Sequence, residues 1–480
     1  MPFRLPRPRY LVPLIVACGL FMENMDSTVI ATALPAIARS FGEDPLRLSL
    51  AITTYLLSLG VFLPLSGWFA DRFGARTVFA SAIAVFTAGS IACALSSSLA
   101  ELVLARALQG MGGAMMVPVG RLVVLRTTPK SELVAAMAYL TIPALIGPVI
   151  GPPLGGFIAT YYTWHWIFLI NLPIGLLGLV LTFLLIPNIR EPRRDPLDLK
   201  GFGLSGVGLA ASMLGFENLG RGVLPSRVVA TLIGVGCLLL ALFGRHARRI
   251  PVPILDLSLF RLPTFRASVL GGFAFRAGIG ALPFLLPLLL QAGFGFTPFE
   301  SGLTTCAAAA GAMLMKITAP QILRRNGFRR VLVVNTVICT AFMAANGLFR
   351  PTTPHAVMLA VLLTGGFFRS LQFTSLNTLA YAEVAAPAMS RATTLASVGQ
   401  QLSLTFGVGF GALMLHFTLA FTGQGALGAD TFWPAFLGIA AVSMTALFFI
   451  VPLRRDAGAE VSGWESAPPS SGAQAIRPAE

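Results

Sequence analysis

Gly67-Trp68-Phe69-Ala70-Asp71-Arg72-Phe73-Gly74-Ala75-Arg76 is a charged stretch with glycine at 67 and 74, set between two long apolar runs at 48–70 and 78–99. Gly74 admits a left-handed backbone, and Asp71 can accept hydrogen bonds from a helix N-terminus or pair with an arginine. The stretch reads as a tight turn between two membrane helices. An ordinary charged turn would not need glycines on both sides of the Asp-Arg pair. The same design returns much later as Arg324-Arg325-Asn326-Gly327-Phe328-Arg329, and Arg106-x-x-Gln109 returns as Arg369-x-x-Gln372. The chain therefore contains an internal repeat.

Composition fits a membrane-embedded chain. Of 480 residues, 55% are hydrophobic and 11% charged, with a mean hydropathy of +0.80. Soluble domains carry about 25% charged residues, so a soluble enzyme, a disordered chain and a coiled coil are excluded. The net charge of +15 resides in short loops between apolar runs, which is loop charge and not a nucleic-acid-binding stripe. Cys18, Cys93, Cys237, Cys306 and Cys339 are single, and His165, His246, His355 and His416 are scattered. Neither a disulfide framework nor a metal centre is expected.

Apolar runs long enough to cross a bilayer number fourteen, from 11–38 to 431–452. With the N-terminus inside, only Arg39, Arg47, Arg221, Arg227 and Arg350 fall in outer loops, and most of the remaining Lys and Arg are cytoplasmic. Both termini are thus expected in the cytoplasm. The repeat divides the chain into a six-helix bundle at 1–190, two accessory helices at 191–262 and a second six-helix bundle at 263–455. A disordered tail is expected at 456–480.

Within the spans, a few polar residues carry the chemistry. Glu23 and Asp26 project from similar faces of the first helix. An intramembrane carboxyl is costly and marks a functional site. Burial opposes its charge and a guanidinium supports it, so such a group can bind and release protons; a structural, capping carboxylate is the alternative. Arg106 cannot shed its charge and needs a carboxylate, carbonyl or water. Gly147, Gly151 and Gly155, interleaved with Pro148 and Pro152, form a smooth strip on a bent helix, suited to coupling the two halves. Asn24, Gln109, Arg276, Gln291, Arg369, Gln372 and Asn377 are candidate cavity liners. Arg276 could hold an anion or pair with an acid.

These motifs, in this order, resemble the major facilitator superfamily, and more narrowly its fourteen-helix drug:proton antiporter-2 branch. Met25 to Pro35 is similar to the branch's first-helix signature, Gly67 to Phe79 to the superfamily loop motif, and Arg106 to Ala114 to the fourth-helix motif implicated in proton transfer. Gly147 to Gly156 is similar to the antiporter motif, and Trp164 to Pro173 to a further stretch common in the branch. Ala31 stands where the branch often has Asn, and His165 where it often has Arg. Arg324 replaces the Asp of the second loop motif. The resemblance implies an all-α membrane protein of two six-helix bundles plus two accessory helices, enclosing a central cavity.

The expected function is proton-coupled export of drugs or other small amphipathic compounds by alternating access. Asp26 would carry the proton with Glu23 and Arg106, while Gly67, Asp71, Arg72, Gly74 and Arg76 serve the cytoplasmic gate. The excess of arginine over carboxylate within the spans keeps an exporter of organic anions or metal chelates as the alternative. No catalytic cluster points to an enzyme, and no soluble output domain points to a receptor. The partners are a small molecule, protons and the inner-membrane lipid; the cofactor is none beyond the proton gradient. A periplasmic adaptor is left open.

Overall fold

In the computed structural model, the described residues are 11–43, 48–189, 195–219, 224–422 and 428–464. Helices dominate them and no strand occurs among them. The first group is α1 (Leu11–Phe41), α2 (Ser49–Phe62), α3 (Ser66–Phe73), α4 (Ala75–Leu95), α5 (Leu99–Thr127), α6 (Leu133–Tyr161), α7 (His165–Leu169) and α8 (Asn171–Leu185). Then come α9 (Leu199–Asn218) and α10 (Ser226–Ala247). The last group is α11 (Pro263–Arg266), α12 (Gly272–Leu288), α13 (Pro298–Asn346), α14 (His355–Leu379), α15 (Met389–Thr422), α16 (Phe432–Met444), α17 (Leu447–Ile450) and α18 (Ala459–Ser462).

The helix boundaries follow local chemistry. Ser98 caps α5 by accepting from the Glu101 N–H at 3.3 Å, and Thr297 with Glu300 forms a full capping box at the start of α13. Gly74 (φ 93°) ends α3, and Gly327 (φ 68°) breaks α13 into two helical pieces. Both halves of the repeat thus turn on a glycine in the left-handed region, where a Cβ would be strained.

Among the described residues, twelve helical stretches are long and apolar enough to cross a membrane. The chain is a multi-pass membrane protein. Fourteen spans were expected from the sequence, and the described residues give twelve. The stretch Glu300–Asn346 is counted once although it turns at Gly327, and the apolar α6 is not among the twelve.

Packing separates two groups. In the first half α1 lies along α6 and α5, and α4 along α5 and α8; in the second, α13 lies along α14, and α12 along α15 and α16. Helix α9 packs on both α2 and α15, at the seam between the halves, and α10 packs on α9. In α10 only 17% of the apolar window is buried, against 78% in α5. So α10 presents its apolar face to lipid, and α5 is a central helix.

The beginning of the expected disordered tail is folded. Gly458 and Gly463, both left-handed, bound α18; Val461 is buried, and the Trp464 ring lies against Gly327. The cause is the apolar surface of Val461 and Trp464, which finds a partner on the broken α13. Residues 465–480 lie outside the described residues.

Candidate functional site

The site is built around one carboxylate. Asp26 lies mid-way along α1, which packs against α5 and α8, and these two helices supply its partners. Arg106 of α5 donates from Nη1 to Asp26 Oδ2 at 2.6 Å, and Gln109, one turn on, donates from Nε2 to Oδ1 at 2.8 Å. Asn171, the first residue of α8, donates from Nδ2 to the same Oδ1 at 3.2 Å and to Ser90 Oγ at 3.0 Å. Asp26 is 2% exposed, and Arg106, Gln109 and Asn171 are fully buried. No water can therefore compensate the charges, and the protein does so itself.

Arg106 is held on every side. Its Nη1 also donates to Gln109 Oε1 at 2.6 Å, its Nε to the Ala51 carbonyl at 3.3 Å, and its Cζ sits 4.4 Å from the Tyr55 ring centroid. One carboxylate oxygen, an amide oxygen, a carbonyl and an aromatic face together satisfy an ion that cannot be neutralised. Ser90 passes the network on to the Phe168 carbonyl at 2.9 Å. Close approach of α4 and α5 makes this possible, since a Cβ on Gly89 would lie 2.8 Å from the Gln109 backbone.

Glu23 is near this cage but outside it. It is half-buried, and its Oε2 has no hydrogen-bond partner, as is true of the Tyr55 hydroxyl. The side chain of Asn24 turns back to its own helix, donating to the Leu20 carbonyl at 2.7 Å.

The loop at 67–76 forms a second cluster at one end of the bundle. Asp71 accepts from Arg126 Nη2 at 3.1 Å within its own half, and from the Ser390 hydroxyl at the start of α15 in the other half. Ser66 and Thr394 hydroxyls meet at 2.9 Å, and a Cβ on Gly67 would lie 2.7 Å from Thr394 Oγ1. Gly67 therefore sits where α3 passes close to α15. Arg76 reaches the Ile186 carbonyl at 3.5 Å, still within the first half. Arg72 is exposed and lines a small cleft with Trp68 and Asp195 and with Arg391 of the second half.

Two sequence expectations change in place or partner. The strip at Gly147 and Gly151 packs on α1, against the Met25 backbone and Thr28, within the first half, while α6 as a whole also packs on α13 and α14 of the second half. The reason is the long side-by-side pairing of α1 with α6, which run in the same direction and need small residues where they touch. Gly155 is buried in the same helix, and the side chains of Pro148 and Pro152 lie outside the described residues. Gln109, expected in a cavity wall, is wholly buried in the Asp26 cage.

The remaining candidates are dispersed. Gln291 is exposed and donates to Ser301 Oγ at 3.4 Å. Gln372 is enclosed by Asn335 and Thr336 at 2.8 and 2.7 Å. Arg276 donates to Asn377 Oδ1 at 2.9 Å, and Arg369 lines a separate small cavity with Cys339 and Asn346. Asn171 and Ser90 were missed by sequence reasoning. The only signal for Asn171 was its place in the Trp164–Pro173 stretch, which does not say what the amide touches.

Comparison with known proteins agrees with this architecture. The family described as Major Facilitator Superfamily matches residues 16–408. MdtD of Escherichia coli (strain K12), which carries a multidrug-resistance name, is 44% identical over 405 residues, covering 84% of this chain and 85% of its own. MdtD of Shigella sonnei (strain Ss046) matches equally. The human organic anion transporter MFSD10 superposes with a TM-score of 0.67 at 14% identity, covering 92% of this chain and all of its own. The proton:xylose symporter XylE gives 0.63 at 14%, covering 95% and 99%. At such identities the two structures speak for the fold alone.

Proposed function

Because the chain belongs to the Major Facilitator Superfamily, we propose that it is a proton-coupled exporter of drugs and other small amphipathic compounds, of the fourteen-helix antiporter branch. Fourteen spans are supported by the break of α13 at Gly327 and by the apolar, 29-residue α6. The packing of two helix groups around a seam filled by α9 supports a division into six, two and six spans.

One observation carries the proton reading: Asp26 is a buried carboxylate whose every partner is a side-chain donor on another helix. When Asp26 takes a proton, its oxygens lose their reason to hold Arg106, Gln109 and Asn171. Arg106 is then left with Gln109, the Ala51 carbonyl and the Tyr55 ring. Protonation thus loosens α1 from α5 and α8, which is the kind of two-state contact that alternating access needs. Glu23, with an unpartnered oxygen one turn away, serves as an entry point for the proton. No cofactor beyond the proton gradient is required.

Asp71, bonded to Ser390 across the halves, latches that end shut. Arg72, Arg76, Arg324, Arg325, Arg329 and Arg454 belong to loops at the same end, so the positive-inside rule makes it cytoplasmic. The described state is then closed to the cytoplasm, in an inner membrane with both termini inside. The test is reconstitution into liposomes holding a pH-sensitive dye under a proton gradient. An amphipathic drug should trigger proton flux in the wild type and none in Asp26→Asn. Equal flux in the variant would remove the assignment.

A further inference from the structure

The second half contains charge that its own sequence does not neutralise. There is no acidic residue in 301–382, nor in the spans Pro263–Gly293, Met389–Thr422 and Phe432–Ile450. Yet Arg276 and Lys316 are 4% and 5% exposed. Arg276 donates from Nη2 to Asn377 Oδ1 at 2.9 Å, its Cζ lies 5.2 Å from the Phe373 ring centroid, and its buried Nε has no acceptor. Lys316 donates to Thr374 Oγ1 at 2.6 Å. Its partners, like those of Arg276, are neutral.

A third cation arrives from the other half. Arg121 of α5, 5% exposed, places Nη1 3.5 Å from the Tyr381 hydroxyl and Nη2 3.3 Å from Gln400 Oε1. Asn377 and Tyr381 are four residues apart at the end of α14, so the two guanidiniums, one from each half, come to neighbouring positions, and Arg276 lies within electrostatic reach of Arg121. Buried guanidiniums cannot lose their protons, and neutral acceptors do not balance their charge. Two of them side by side also repel.

We infer that Arg121 and Arg276, with Asn377, Tyr381 and Gln400, form a binding site for one monovalent anionic group, shared by the two halves and separate from the Asp26 cage. The group is a halide or a carboxylate, taken from the medium or from an acidic substrate. The planar guanidinium fork of Arg276 offers the free Nε edge to it, and Arg121 supplies the second charge from across the seam. Because each half gives one arginine, the anion bridges the halves at the Asp71 end and is released when they part. This goes beyond the export reading and does not depend on it.

The test is binding to the purified full-length protein. The probes are 1-naphthylacetate, its uncharged amide, and chloride against gluconate at matched ionic strength. We expect the acid to bind at least about tenfold more tightly than the amide. Arg276→Gln and Arg121→Gln should each abolish that preference, while Arg248→Gln at the end of α10 keeps it. Chloride that raises the thermal midpoint of the wild type and competes with naphthylacetate identifies a free inorganic anion as one source. Preference for the acid without a chloride effect identifies the acidic group of a substrate. Equal binding of acid and amide, with no chloride effect on the wild type, overturns the site. The wild-type comparisons decide the matter even where a variant fails to fold. Drug-triggered proton flux is a separate measurement, so loss of this site would leave the export reading intact.

Discussion

The Arg-x-x-Gln pair occurs twice, and its two copies have opposite surroundings. In α5, Arg106 and Gln109 close around Asp26, and all three are sealed from solvent. In α14, Gln372 is enclosed by Asn335 and Thr336, and Arg369 faces a small cavity with no carboxylate among the described residues. The helices, their glycine-hinged loops and the register of the pair are shared. What differs is one acidic side chain. The first half has become an ionisable switch and the second a neutral scaffold bearing surplus cations. In our reading the repeat conserves packing, and the division of labour follows from where the carboxylate sits.

That contrast can be broken at several points. The largest effect is expected from Asp26→Asn. An amide cannot carry a proton, so drug-triggered proton flux in liposomes should fall by about a hundredfold or more, while Gln372→Met leaves it near the wild-type rate. A large loss in both would mean that the halves share the coupling.

Next comes stability. Arg106→Gln leaves a buried, charged carboxylate with two neutral donors and should cost about 3–5 kcal/mol, read as a lower thermal midpoint in detergent. Arg369→Gln removes a cation that has no acid to balance and should be neutral or stabilising. Equal losses would show that Arg369 has an ionic partner in solution.

Asn171→Ala sharpens the picture of the cage. It removes donors to both Asp26 and Ser90, with an expected loss of about 1–3 kcal/mol by the same assay. An unchanged midpoint would show that Arg106 and Gln109 suffice.

The smallest effect concerns Glu460. The Lys130 ammonium at 2.8 Å holds its carboxyl below the usual carboxylate range, and both side chains are exposed. A lowered value makes the contact favourable above the ordinary carboxylate range and weakens it as pH falls through the lowered one. Because water screens two exposed side chains, Glu460→Gln should nevertheless leave the thermal midpoint unchanged near neutral pH. A clear drop would make this contact between α18 and the α5–α6 turn a true latch.

Hydropathy alone determined the class of this protein, because about 20 apolar residues are needed for each crossing and little else can be done with them. The repeat was legible for a similar reason: Gly74 and Gly327 are needed wherever the backbone turns with positive φ, and that need is local. That Asp26 and Arg106 each need a partner was legible too, since a charge at membrane depth is costly wherever it points. What sequence could not decide was partnership. Arg106 and Asn171 are separated from Asp26 by 80 and 145 residues, and only the packing of α1, α5 and α8 joins them. The glycine strip of α6 likewise carried no address, because small residues permit close approach without naming the neighbour. Arg276 carried no named partner in the sequence, and its neighbour Arg121 comes from the other half of the fold. Burial cost is written in a residue's own chemistry, whereas the groups that offset it are chosen by helices distant in the chain.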